Sequence, residues 1–228
     1  MPVIGVYWGE AIENAGLAAY ARTETPGLIE AAPGHTPPDP TTYPGEPDLG
    51  RHIIQSLVTD GFDIAHSCRM PAGNYGTHSI GHAFGWVYRQ LMHDDVIPNV
   101  PVFLNTYYPP NQPTMKRCFE LGKAIRRAVA TWDNDKTVAV VASGGLTHFV
   151  IEEELDQRVI KAMRDKDESL LTDMPMSWFQ SGTSEIRNWA VVAGAMHDGD
   201  QAMRLVDYLP CYRSQAGTGC AMAFAEWR

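Results

Sequence analysis

The sequence predicts an α/β layered protein, a central mixed or parallel sheet flanked by helices. Three observations predict it. Strand-length apolar runs at 2–8 (PVIGVYW), 100–106 (VPVFLNT) and 137–143 (TVAVVAS) lack polar alternation, the mark of strands covered on both faces. Stretches with helical spacing of apolar residues lie between and after them. Glycine-rich or turn-rich segments follow strand ends, where open α/β folds place their sites. Strand–helix alternation of this kind belongs to layered α/β architectures. At 228 residues the chain is expected to be a single domain over 1–228 with a core of its own.

Taken in order, residues 2–8 read as a short buried strand and 10–22 as a helix. Residues 23–48 hold seven of the sixteen prolines. The segment PGHTPPDPTTYPGEP within them fits neither a helix nor a central strand. Asp48 is placed to cap a helix carrying Ile53, Ile54 and Leu57 inward. Phe62-Asp-Ile-Ala is a strand, and RMPAGNYGTHS (69–79) is turn-rich. A helix over 80–93 aligns Phe84, Val87, Tyr88 and Leu91 on one face. Strand 100–106 and the loop YYPPNQP lead to the clearest helix, 114–132. Thr114 caps it, with Cys118, Leu121, Ile125, Ala128 and Val129 inward. A buried strand is expected at 137–143, then helices near 150–165 and 184–197. There are no internal repeats.

Composition narrows the function. Hydrophobic residues make up 44% and charged residues 20%, ordinary for a folded globular chain. Net charge is −9 with a pI near 5.3, and no Lys/Arg stripe offers a nucleic-acid surface. No apolar run reaches the roughly 18 residues of a membrane span. The opening MPVIGVYWGE has neither a basic n-region nor a cleavage site, so no signal peptide is expected. Cys68, Cys118, Cys211 and Cys220 form no CxxC pair, so reduced thiols and a cytoplasmic location are expected. Walker, GxGxxG, GxSxG and HExxH motifs do not occur.

Four segments could carry chemistry. His78 and His82 lie four apart in GNYGTHSIGHAFG, a metal-ligand spacing on a helix. The same spacing equally suits a capping and a surface histidine. SGGLTHFV (143–150) lets backbone approach a ligand beside His148 and Thr147, or is a tight turn with a capping histidine. In SGTSEIRNW (181–189), Glu185 sits in a first helical turn, where the helix dipole favours a carboxylate. Beside histidines it would also suit a two-histidine, one-carboxylate iron site. CYRSQAGTGCAMAF (211–224) sets Arg213 near the backbone amides of Gly217 and Thr218. That group would hold a carboxylate, or it is a Gly-rich link into a last apolar strand.

Together these segments resemble the class III extradiol ring-cleavage dioxygenases. They look most like the catalytic beta chain of protocatechuate 4,5-dioxygenase and gallate and methylgallate dioxygenases. LNTYYPPNQPTMKRCFELGKAIRRAV is the most specific stretch; DLGRHIIQSL, SGGLTHF, SGTSEIRNW and GTGCAMAF support it in order. The resemblance implies extradiol cleavage of a protocatechuate- or gallate-type catechol by O2 on non-haem Fe(II). It implies Glu185 as an iron ligand, because it precedes Ile-x-x-Trp as the family's ligand Glu precedes its own apolar-x-x-Trp. It implies an acid/base histidine in THSIGHAF, with His78 first and His82 second. Substrate contacts would come from Tyr107, Thr147, His148, Arg213, Gly217 and Thr218. A homodimer or a small second subunit is implied as partner.

The sequence also departs from the family. Both family histidine ligands lie before the strand that opens this chain, so roughly the first sixty family residues are expected to be absent. His35 lies in the proline loop and His52 in an amphipathic helix, neither in the family's context. This leaves two readings: a ring-cleaving enzyme that takes its missing ligands from elsewhere, or a metal-free, non-catalytic family member that binds aromatic acids or a partner chain.

Overall fold

The computed structural model describes residues 2–17, 26–70 and 79–228. The chain divides into two compact units. One comprises Ile4–Val58 and Asp63–Phe103; the other comprises Met1–Val3, Thr59–Phe62 and Leu104–Arg228. The α/β expectation holds: sheets are flanked by helices, and the described residues form no closed barrel.

In the first unit, β1 (Ile4–Tyr7) lies between β4 (Ile64–Ser67) and β5 (Val102–Leu104). Strands β1 and β4 run parallel, with Ile4 opposite Ile64 and Tyr7 opposite Ser67. A separate antiparallel pair joins β2 (Ala11–Asn14) to β3 (Thr41–Pro44). Two short helical pieces, α1 (Pro26–Ala31) and a 3-10 turn at Ala32–Gly34, come between. Helix α2 spans Pro47–Thr59. Helix α3 (His82–Trp86) continues as a π-helical turn at Val87–Leu91. Tyr7, Ile12, Tyr43, Met70, Ile80, Tyr88 and Val96 form a small core here.

Several expectations are corrected in this unit. The helix expected over 10–22 is strand β2 where it is described, and residues 18–22 lie outside the described residues. AIEN alternates exposed and buried, and its pairing with Thr41–Pro44 outweighs the helical tendency of Ala and Glu. The proline segment supplies an edge strand, the position a sheet tolerates for proline. Asp48 is not the cap of α2. Pro47 occupies the first helical position, and Asp48 comes next in the first turn. The face expected for 80–93 holds at Val87 and Tyr88 but turns Leu91 to solvent. The π-turn inserts a residue per cycle and rotates the side chains after it. The apolar strand 100–106 is shorter than expected and leaves Phe103 38% exposed.

The second unit contains the larger core. Helix α4 (Met115–Thr131) begins at Thr114, whose hydroxyl accepts the Arg117 N–H at 3.1 Å, as expected of a capping Thr. It packs along α7 (Ile186–His197), and Gly122 and Gly194 permit close approach of the two backbones. Helices α5 (Glu153–Arg164) and α6 (Glu168–Thr172) complete the helical layer. An antiparallel sheet of order β6-β8-β7 joins β6 (His148–Val150), β8 (Thr218–Trp227) and β7 (Met203–Tyr212). Phe119, Leu146, Leu155, Val159, Ile160, Phe179, Ile186 and Trp189 lie at the centre. The buried strand expected at 137–143 does not form. TVAVVAS is without strand pairing, and Val141 is 55% exposed. Apolar composition alone does not make a strand, because a strand also needs a neighbour for its N–H and C=O groups.

Candidate functional site

The site is built where the end of the Gly-Gly turn meets the start of α7. A 3-10 turn at Ser181–Glu185 feeds directly into α7. Glu185, Asn188 and Trp189 are spaced i, i+3 and i+4, so they share one helix face. All three engage the preceding turn. Glu185 Oε2 accepts the Gly145 N–H at 2.9 Å, Trp189 Nε1 donates to the Gly144 carbonyl at 2.9 Å, and Asn188 Nδ2 donates to the Ser143 carbonyl at 2.9 Å. The Glu-Ile-x-x-Trp spacing is thus a device for clamping Ser143–Gly145.

His148 is held from three sides. Its Nδ1 donates to the Leu146 carbonyl at 2.8 Å, which leaves Nε2 facing Glu185 Oε1 at 3.8 Å. Thr183 Oγ1 accepts the His148 N–H at 3.2 Å and donates to the His148 carbonyl at 3.0 Å. Gly182 is required at its position: a Cβ there would lie 2.3 Å from His148 Cδ2. The neighbouring Cys220, then the Glu185 carboxylate, outweigh burial and raise the His148 pKa to about 10. A raised pKa favours the imidazolium, in which Nε2–H is a proton donor.

Thr147 is fully buried and acts behind His148. Its N–H donates to Asp156 Oδ1 at 2.8 Å and its hydroxyl to Asp156 Oδ2 at 2.9 Å; the Tyr208 hydroxyl also donates to Oδ2, at 2.8 Å. Burial raises the Asp156 pKa against the pull of these donors. Arg213, Gly217 and Thr218 close the β7–β8 hairpin, with the Arg213 N–H donating to the Thr218 carbonyl at 2.7 Å and Gly217 at φ +79°. Thr218 pairs with Val150, two residues from the His148–Cys220 pair, and so shares its face. Tyr107 is half exposed and meets Tyr108 edge-on. Its loop is held by Asn105 and by Gln112, whose side-chain amide donates to the Thr106 and Tyr107 carbonyls.

Sequence reasoning missed two residues. Arg187 is fully buried and donates to the carbonyls of Pro113, Thr106, Phe179 and Ser184. It thereby joins the Tyr107 loop to the turn that carries Glu185. An arginine two residues after Glu185 gave no sign of burial, since arginine is rarely fully buried. Cys220 was the other, read only as part of an apolar strand. Its signal lay in the strand register, which the sequence does not display.

The remaining histidines with a described place near the predicted sites lie in the other unit. His78 lies outside the described residues. His82 starts α3, with its ring edge-on to His35 at 5.9 Å between centroids. Burial, then His82, lowers the His35 pKa. His52 is half-buried on α2. Among the described residues no group of three or more His, Cys, Asp or Glu is arranged to hold a metal ion. The described residues alone therefore do not fit an iron site.

Comparison with known proteins places the chain in a family. The family described as the catalytic LigB subunit of aromatic ring-opening dioxygenase matches residues 11–217. This chain belongs to that family. It is 28% identical over 191 residues to a gallate dioxygenase of Pseudomonas putida, covering 78% of this chain and 53% of that protein. It is 32% identical over 102 residues to a 2,3-dihydroxyphenylpropionate/2,3-dihydroxicinnamic acid 1,2-dioxygenase of Photorhabdus laumondii, covering 44% of this chain and 29% of that one. The chain thus spans about half or less of these relatives' lengths. A solved structure of an uncharacterized protein from Escherichia coli K12 shares the fold at TM-score 0.58 and 15% identity, covering 97% of this chain and 79% of that chain. No helix among the described residues is long and apolar enough to cross a membrane.

Proposed function

We propose that this LigB-family chain carries the proton-donating part of an aromatic ring-opening dioxygenase site. The observation that carries the reading is the His148–Glu185 pair, fixed by the Gly144-Gly145 turn, in a chain of that family. The substrate class is a catechol bearing a carboxylate, of the protocatechuate or gallate type. O2 is the co-substrate, and cleavage is beside the diol. The ring carboxylate would be read by Arg213 and the hairpin amides of Gly217 and Thr218, and the ring face by Tyr107. His148 Nε2–H donates a proton to an oxygen of the opening ring, and Glu185 orients the imidazolium. Thr147 fixes the backbone that presents His148. A homodimer or second subunit and a cytoplasmic setting belong to the same reading.

Non-haem Fe(II), with Glu185 as a ligand, also belongs to it. Its remaining ligands would come from outside the described residues; His78, then His82, are the alternative acid/base residues. A second reading is a metal-free family member that binds aromatic acids or a partner chain without turnover. Anaerobic ferrous iron titration of the whole chain, read as iron per protomer after desalting, separates the two. About one iron per protomer, lost in Glu185→Gln, supports the enzyme. Iron at background in both supports the binding subunit.

A further inference from the structure

The β6-β8-β7 order brings three chemistry-bearing residues into one row. His148 of β6 is directly opposite Cys220 of β8, and Cys220 is directly opposite Cys211 of β7. Directly opposed residues present their side chains on the same face. Both hairpin cysteines are free thiols; Cys211 is exposed and Cys220 half-buried.

The register sets their separation. Arg213 N–H donates to the Thr218 carbonyl, so 213/218 is a hydrogen-bonded pair. Hydrogen-bonded pairs recur every second residue, which makes 211/220 the next one. Cα atoms in such pairs stand about 5.5 Å apart, inside the roughly 4.4–6.8 Å that a disulfide spans. The other cysteines are differently placed. Cys118 is fully buried, with burial raising its thiol pKa to about 12, and Cys68 belongs to the other unit.

We propose that Cys211 and Cys220 are a modification site, a cross-strand dithiol that a hydroperoxide closes to a reversible disulfide. Cys220 sulfur attacks one peroxide oxygen. The S–O bond forms, the O–O bond breaks, and the departing hydroxide takes the Cys220 thiol proton to become water. Cys211 sulfur then attacks Cys220 sulfur. The S–S bond forms, the S–O bond breaks, and hydroxide leaves as water with the Cys211 proton. Two thiols lose two electrons, and hydrogen peroxide is reduced to two waters. An exposed disulfide on a hairpin is of the labile kind that thiols reopen. Closure ties Cys220 to Cys211 on the face that His148 shares, and so changes what lies beside that ring. That consequence depends on the function proposed above, whereas closure itself does not.

The test uses the full chain and no activity assay. Reduced protein is treated with hydrogen peroxide, denatured, alkylated and digested with trypsin, which cuts after Arg213 and separates the two cysteines. The expected product is one disulfide-linked peptide pair containing Cys211 and Cys220, two hydrogens lighter than the separate peptides, restored by dithiothreitol. In Cys211→Ser the pair is absent, and a sulfenic-acid probe labels Cys220. Recovery of both cysteines alkylated on separate peptides after peroxide overturns the proposal, as does pairing of Cys220 with Cys68.

Discussion

His148 occupies a cage with little tolerance, and Gly182 shows how little. Replacing Gly182 with Ala puts a methyl within 2.3 Å of the imidazole, so the ring must move off Glu185. Overpacking of this kind costs about 1–3 kcal/mol. Gly182→Ala is expected to lower the unfolding midpoint and to weaken any ring-opening activity. Unchanged values for both would contradict the cage. Behind the ring, Asp156 sets a pH dependence. Its pKa is raised by burial, so the folded state holds that proton to higher pH than the unfolded chain does. The stability this group contributes is therefore greatest at low pH. It is lost as pH rises from the unfolded carboxylate value, near 3.9, through the raised folded value. In denaturant unfolding at several pH values between about 4 and 7, the stability difference between the wild type and Asp156→Asn is expected to shrink as pH rises. A difference that grows with pH would count against it.

Arg187 does for the elements what Gly182 does for the ring. One buried guanidinium bridges the Tyr107 loop, the 179–184 segment and α7 through backbone carbonyls alone. Arg187→Met removes this donor from all four carbonyls; Thr106 keeps the Gln112 amide and Ser184 a backbone N–H, and each of the others costs about 1–3 kcal/mol where it stays dry. The variant is expected to lose at least about 3 kcal/mol in urea unfolding; a loss under about 1 kcal/mol would contradict the bridge. Where an element satisfies itself, its sequence was readable. Thr114 and the inward face of α4 announced that helix, and SGTSEIRNW, with Glu185 in a first turn, announced the start of α7. Where an element depends on a partner, its sequence was not readable. AIEN became a strand only because Thr41–Pro44 lies beside it, and TVAVVAS stayed unpaired despite ideal strand composition. Strand β7 was missed because Pro210 and Cys211 interrupt its pattern, and with it went the row that joins Cys211, Cys220 and His148.

For the protein as a body in solution, the telling surface is the His148 face of the β6-β8-β7 sheet, which carries exposed apolar residues. Val150, Leu209 and Met222 share it by register and are all exposed. Exposed apolar residues gathered on one face would suit an interface with a second copy. Light scattering is expected to report self-association, shifted toward monomer by Leu209→Lys; a monomer across concentrations would contradict it. Half of the site was legible in the amino-acid sequence alone. The family segments pointed to Glu185 and His148 as separate features, and the fold places them 3.8 Å apart. If that pair works in opening an aromatic ring, turnover must depend on the His148 ring. Ring-opened product and oxygen uptake, measured after adding protocatechuate or gallate to the ferrous-loaded chain, compare the wild type with His148→Gln. Product is expected from the wild type, with a fall of about 100-fold or more in the variant and the fold intact. Equal rates in the two proteins, or no product from the wild type with iron bound, would overturn the assignment of His148 and Glu185 to ring opening.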